Sequence, residues 1–321
     1  MTPISPELAQ AARLLRADEL VAIPTETVYG LAGNIFSPTA IAKIFALKQR
    51  PLFNPLIVHI HSIGQLPTLA RHVPEKAQRL AAAFWPGPLT LVLKKQPSVP
   101  DLITAGKDTV AVRMPNHPLV LALLQQVGFP LAAPSANPFG SISPTRAAHV
   151  EEYFGATGLL VLDGGDCARG IESTIVGFDD DDEPVVYRLG SLALEEIEAV
   201  VGPVALNNKK ETAPDAPGML SRHYAPATPT HLTADPAAFI APLADKKIGL
   251  LLFRRKLDAP FVKHQVVLSE AGDLGEAANG LYGALHALDK LQLDLIVAER
   301  MPDAGLGKSI NDRLERATKT R

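Results

Sequence analysis

Short β-branched runs separated by helical patterns occupy the first two hundred or so residues, and that alternation predicts an α/β domain. Strands are expected at 20–23, 56–60, 89–94, 110–113, 131–133, 159–162, 173–177 and 185–189. Helices are expected at 6–17, 38–48, 74–84, 118–127, 144–153 and 194–200. Five of these six helices open on proline, which suits a first turn whose N–H has no intrahelical partner. Apolar positions nearly vanish over 207–218, which reads as a linker. The segment from Met219 to Pro226 then sets Arg222, His223 and Tyr224 in a stretch without periodicity, a loop able to fold back on a neighbouring site. Beyond it a smaller α/β unit is expected, with strands at 247–253 and 293–298 and helices at 275–291 and 308–319. The plan is a domain over 1–205, an ordered linker or lid over 206–227, and a second domain over 228–321.

Composition narrows the function. The chain has 321 residues, 31 Lys and Arg against 34 Asp and Glu, and one cysteine, Cys167. A lone cysteine excludes an internal disulfide framework and any multi-cysteine metal centre, which fits a reducing, cytoplasmic setting. No apolar stretch approaches about eighteen residues, and the N-terminus lacks a signal-peptide pattern. A net charge of −3 excludes a global basic field, so any anion site is built locally. The acidic run Asp179 to Glu183 reads as a solvated hairpin turn, because five adjacent acids cannot converge on one cation.

Several signatures are absent. Gly307-Lys308-Ser309 mimics the end of a phosphate loop, but Pro302 stands where its first glycine belongs. No dinucleotide fingerprint occurs, and Pro134 and Ala136 around Ser135 exclude a nucleophile elbow. What stands out is four polar clusters at strand ends, where open α/β sheets hold their ligands. They are Pro24 to Gly30, Lys48 to Pro55, Ala132 to Pro138 with Ser143 beyond, and Ile171 to Ile175. Three of them have an ordinary reading too: helix capping for Thr25 to Thr27, dipole complementarity for Lys48 and Arg50, a polar turn for Glu172 to Thr174. Lys48 and Arg50 would clamp an anion together if the helix unwinds before Pro51. Ser135 and Asn137 would share one face with Ala133. Arg113 and Arg188 end two further strands, and His59 reads as a hydrogen-bonding group, not a metal ligand.

Lys48-x-Arg50 paired with Ser135-x-Asn137, together with the stretches 24–31, 54–59, 85–90 and 172–175, resembles the YrdC-like domain of L-threonylcarbamoyladenylate synthases. The likeness spans about 6–202. Residues 217–226 and 305–313 resemble the linker and C-terminal domain of that family's long form. The resemblance implies a twisted mixed-sheet domain and a smaller Rossmann-like domain. It implies a nucleotidyltransferase that makes threonylcarbamoyl-AMP from L-threonine, bicarbonate or CO2, and ATP, with Mg2+ held mainly by the ATP phosphates, for N6-threonylcarbamoyladenosine at position 37 of tRNAs reading codons that begin with A. Lys48, Arg50, Ser135 and Asn137 would carry catalysis. Thr27, His59, Arg113, Ala133 and Ser173 would hold threonine, and Arg50, Asn54, Thr109, Ser135, Ser143, Arg188 and Tyr224 would hold ATP. The product would pass to the tRNA threonylcarbamoyl transferase, with no membrane involved and no strong direct tRNA binding. The alternative from the residues alone is an RNA-binding module whose basic concavity holds phosphodiesters without turnover.

Overall fold

A computed structural model describes residues 6–208, 216–219 and 223–319. Ten strands build the first sheet: β1 Val21–Ile23, β2 Gly30–Asn34, β3 Ile57–His59, β4 Leu89–Lys94, β5 Thr109–Arg113, β6 Leu131–Ala132, β7 Leu160–Val161, β8 Thr174–Phe178, β9 Pro184–Arg188 and β10 Ala205–Leu206. Their order across the sheet is β10-β9-β8-β4-β5-β3-β6-β2-β1-β7. Parallel and antiparallel ladders mix, for instance β3 with β5 in parallel and β4 with β5 antiparallel.

The two halves of this sheet are covered differently. Around β1, β2 and β6, side chains alternate between two cores. One core holds the helices Pro6–Arg16 and Pro118–Val127, and the other holds Pro38–Lys48 and Glu75–Phe84. Along β3, β4, β5 and β8 one face packs the same way through Val58, Leu91, Val112 and Val176. Their other face, with Ile57, Val92, Ala111 and Ile175, meets Ala216 and Met219 of the linker. That half of the sheet therefore leaves one face for a linker and a cavity.

The second sheet is four-stranded and wholly parallel, with β11 Thr230–Thr233, β12 Ile248–Leu252, β13 His264–Val267 and β14 Leu295–Glu299 in the order β11-β14-β12-β13. The helices Leu274–Asp289 and Leu306–Ala317 cover one face and join Val28, Ile142, Ile171 and Tyr224 of the first part of the chain in one core. Among the described residues no helix is long and apolar enough to cross a membrane.

Four strands among the described residues escape the sequence pattern. β10 is an exposed two-residue edge that pairs with β9. β2 contains two glycines and an asparagine, and its strand character comes from pairing with β1 and β6. β11 and β13 are edge strands of half-buried residues. The acidic run 179–183 is the turn of the β8–β9 hairpin, where the Asp179 carboxylate accepts the N–H groups of Asp181 and Glu183.

Candidate active site

Ser37 caps the helix Pro38–Lys48, accepting the Ala40 N–H at 3.1 Å, and Gln49 ends it in a left-handed turn at φ 51°. That turn sends Lys48 and Arg50 to different places, which corrects the expected two-cation clamp. The Lys48 ammonium, fully buried, donates to the carbonyls of Ser135 and Asn137, while the Lys48 carbonyl accepts the Phe139 N–H at 2.7 Å. Lys48 is thus a strap between two loops. Arg50 turns to the cavity, its guanidinium fixed by the carbonyls of Asn54 (3.1 Å) and Pro55 (2.8 Å).

Asn137 also departs from expectation. β6 ends at Ala132, so strand alternation does not carry through to position 137. Its amide donates to the carbonyls of Pro138 and Ser141, while Ala133 and Ser135 line the cavity.

The neighbouring wall is organised by Arg113 at the end of β5. Its Nη1 donates to Thr27 Oγ1 at 2.9 Å, its Nη2 lies 2.7 Å from Glu26 Oε1, and Thr25 Oγ1 sits 2.9 Å from Thr27 Oγ1. His59 is buried beside it, and burial with the Arg113 charge pulls the imidazole down to about 3, so the ring is neutral. Ser173 faces this wall from the start of β8 and shares a 2.7 Å hydrogen bond with Thr90.

Arg188 closes the opposite side. It donates twice to the Ser173 carbonyl (2.9 and 3.0 Å), to Ser173 Oγ (3.0 Å) and to the Pro217 carbonyl (3.2 Å). Beside it Glu172 accepts from Ser143 Oγ (2.6 Å), Tyr282 Oη (2.9 Å) and Arg313 Nε (2.9 Å). Burial alone would push the Glu172 carboxyl up; the guanidiniums of Arg313 and Arg188 hold it below the usual range. Arg313 also reaches the Leu189 carbonyl, and its Cζ lies 5.0 Å from the Tyr224 ring centre. The second domain therefore completes the back of the site.

The linker forms the roof. Pro217, Gly218, His223 and Tyr224 enclose a cavity of about 50 Å³ against Arg50, Arg113, Glu172, Ser173 and Arg188. Gly218 stands at φ +86°, and a Cβ there would meet Arg188 Cδ and Tyr224 Oη at 2.8 Å. Polar atoms left without partners gather here: His223 Nδ1 and Tyr224 Oη are buried and unpaired. Each costs about 1–3 kcal/mol unless a ligand meets it. Burial and the cations around it hold His223 neutral, and burial brings Arg50 down to about 9. Among the described residues Arg50 and Arg188 make no carboxylate ion pair, so both keep their charge for an incoming anion.

All five residues that the resemblance assigns to threonine, Thr27, His59, Arg113, Ala133 and Ser173, line this cavity, as do Arg50, Ser135, Arg188 and Tyr224 of the ATP set. Asn54, Thr109 and Ser143 stand outside the wall. Asn54 braces Arg50, Ser143 belongs to the Glu172 network, and Thr109 pairs with Lys94 in the β4–β5 ladder. Arg222 lies outside the described residues. Sequence reasoning left Glu26, Glu172, Tyr282 and Arg313 without roles. The usable signal was an acid within each of two otherwise neutral or basic clusters, since a buried carboxylate requires a cation.

A family model described as "Telomere recombination" matches residues 13–190, and one described as "Threonylcarbamoyl-AMP synthase, C-terminal domain" matches 192–318. A threonylcarbamoyl-AMP synthase of Bacillus subtilis is 42% identical, with 97% of this chain and 93% of the relative aligned. One of Schizosaccharomyces pombe is 37% identical, at 97% and 88% coverage. The crystal structure of Pyrococcus abyssi Sua5 complexed with L-threonine superposes with a TM-score of 0.90 at 41% identity, covering 97% of this chain and 94% of that one.

Proposed function

The chain is an enzyme of the threonylcarbamoyl-AMP synthase family, and from that premise we propose that it joins L-threonine, bicarbonate or CO2, and ATP into L-threonylcarbamoyladenylate and pyrophosphate. The observation that carries this reading is the pair Arg50 and Arg188, two buried guanidiniums held by neutral groups over a cavity whose other wall carries Arg113, Thr27 and Ser173. A triphosphate needs the first pair, and an amino-acid carboxylate suits the second group.

The chemistry follows from charge placement. Threonine's neutral amine adds to CO2 and loses one proton, giving an N-carboxylate. One of its oxygens bonds to the α-phosphorus as the bond to pyrophosphate breaks. The attacking oxygen is already anionic, so this step needs no general base. Arg50 and Arg188 neutralise charge that builds on the phosphate oxygens, and Arg113 with Thr27 and Ser173 orients threonine. Neutral His59 adds no further positive charge next to Arg113. Mg2+ in this reading supplies charge neutralisation on the phosphates. The Glu172 oxygens are already engaged by Ser143, Tyr282 and Arg313, which supports an ion that would be held mainly by the ATP phosphates.

A cavity of about 50 Å³ holds a few waters, not two substrates. The linker residues 216–219 and 223–224 must swing out to admit ATP and back to bring Tyr224 and His223 onto it. The product then serves N6-threonylcarbamoyladenosine formation at position 37 of tRNAs reading codons that begin with A, delivered in the cytoplasm to the transferase. The test is pyrophosphate release by the full chain. Release that requires both threonine and bicarbonate is expected; salt-sensitive RNA binding without turnover would overturn the reading.

A further inference from the structure

The second domain carries a crevice that the synthase chemistry does not use. In the four-stranded sheet, β14 lies between β11 and β12. The chain leaving β11 and β12 passes to one face, where Ile240, Ala259 and Val262 pack on Leu250, Leu252 and Val297. The chain leaving β13 and β14 passes to the other, into the helices Leu274–Asp289 and Leu306–Ala317. Where neighbouring parallel strands send their connections to opposite faces, a crevice opens at their carboxyl ends. A cavity of about 810 Å³ sits there, lined from the ends of all four strands, a size within the roughly 300–1,000 Å³ of small-molecule sites.

Its polar groups are arranged for a ligand with two kinds of end. Arg254 and Arg255 follow β12, are exposed, and have no ion pair or hydrogen bond among the described residues. Arg254 lies across Gly272, which has φ +76°; a Cβ there would meet its Nε at 2.8 Å, so glycine keeps the space in which that guanidinium rests. At the end of β14, Glu299 spends one carboxylate oxygen, Oε2, on the Phe253 N–H at 2.7 Å and is fixed by it. Asp235 is likewise committed in part, capping the Ala238 N–H at 3.0 Å. With three carboxylates on the lining, Asp235, Glu270 and Glu299, against two guanidiniums, a bare polyanion is a poor match. An anionic group for the guanidiniums joined to hydroxyls that donate to Glu299 is a good one, and Leu257, Pro236 and Ala237 add an apolar wall.

We propose that this crevice binds a nucleoside 5′-monophosphate, its phosphate on Arg254 and Arg255 and its ribose hydroxyls on Glu299. The site is separate from the synthase cavity and does not depend on the catalytic reading.

Hydrogen–deuterium exchange on the full chain with AMP, adenosine or inorganic phosphate reads it locally. AMP is expected to slow exchange over 234–237, 253–257 and 269–272, with adenosine and phosphate each far weaker. R254E/R255E is expected to weaken AMP protection of these segments about a hundredfold, since two charge-assisted contacts become repulsive, while threonine-dependent pyrophosphate release stays at the unsubstituted level. E299Q is expected to weaken AMP but not phosphate. Protection confined to the synthase cavity, or protection of these segments that survives R254E/R255E, would overturn the site. Equal protection by inorganic phosphate would overturn the nucleoside assignment.

Discussion

Replacing Arg313 with Met removes the cation that neutralises Glu172 while keeping most of the side-chain volume. Arg313 is buried, as is Glu172, and the substitution also strands the Leu189 carbonyl. Breaking a buried pair by removing one partner costs about 3–5 kcal/mol. The pH dependence gives a sharper signature than the size. In the unsubstituted protein the folded Glu172 titrates below its ordinary 4.5, so its contribution to stability is full above that value and is lost as the pH falls through the folded pKa. In R313M burial dominates and the folded pKa rises above the ordinary value. The contribution is then full only below about 4.5 and is lost as the pH rises. The two stability curves therefore diverge from acid towards neutral pH. Urea unfolding at several pH values from about 4 to about 7 measures the gap. Adding E172Q to R313M should close much of it, because a neutral amide does not need the guanidinium. A gap that stays constant with pH would refute the reasoning.

Arg50→Ala and Arg188→Ala should each reduce threonine-dependent pyrophosphate release by about 10²–10³-fold, the usual scale for one charge-stabilising group, with circular dichroism unchanged. Lys48→Met should act on structure first: the buried Asn137 carbonyl loses its donor at about 1–3 kcal/mol and the part-buried Ser135 carbonyl loses one too, read as a lower urea midpoint, and activity should follow the loss of the folded loop. Wild-type stability with lost activity would return Lys48 to the role of a clamp.

Much of the architecture was legible where local pattern and final environment agree. The runs 89–94 and 110–113 are mostly apolar, and they become adjacent inner strands of the large sheet. The prolines at 6, 38 and 118 open helices. β2 was illegible because glycine and asparagine are poor strand formers on their own; Gly30 is admitted by its neighbour, with Ala133 Cβ 3.1 Å from where a Cβ would stand. The site divides the same way. Residues on strand ends, such as Arg113 and Arg188, follow from the strand that carries them. Lys48 and Asn137 do not, because the turn at Gln49 and the end of β6 redirect their side chains, and neither event has a periodic signal. The Glu172–Arg313 contact joins positions 141 residues apart, beyond any local pattern.

That contact also bears on how such a chain could change over generations. Glu172 is at once a wall of the anion cavity and the anchor of Arg313. A gene shortened to end after the linker would encode a protein whose Glu172 carboxylate has lost Arg313 and keeps only the Arg188 guanidinium nearby, facing the cavity. Loss of the second domain is therefore not a free deletion: it removes the Glu172–Arg313 pair, a cost that a change at position 172 or another cation beside it would relieve. The ion pair works as an evolutionary ratchet, tying the two halves of the gene together whatever else the second domain does.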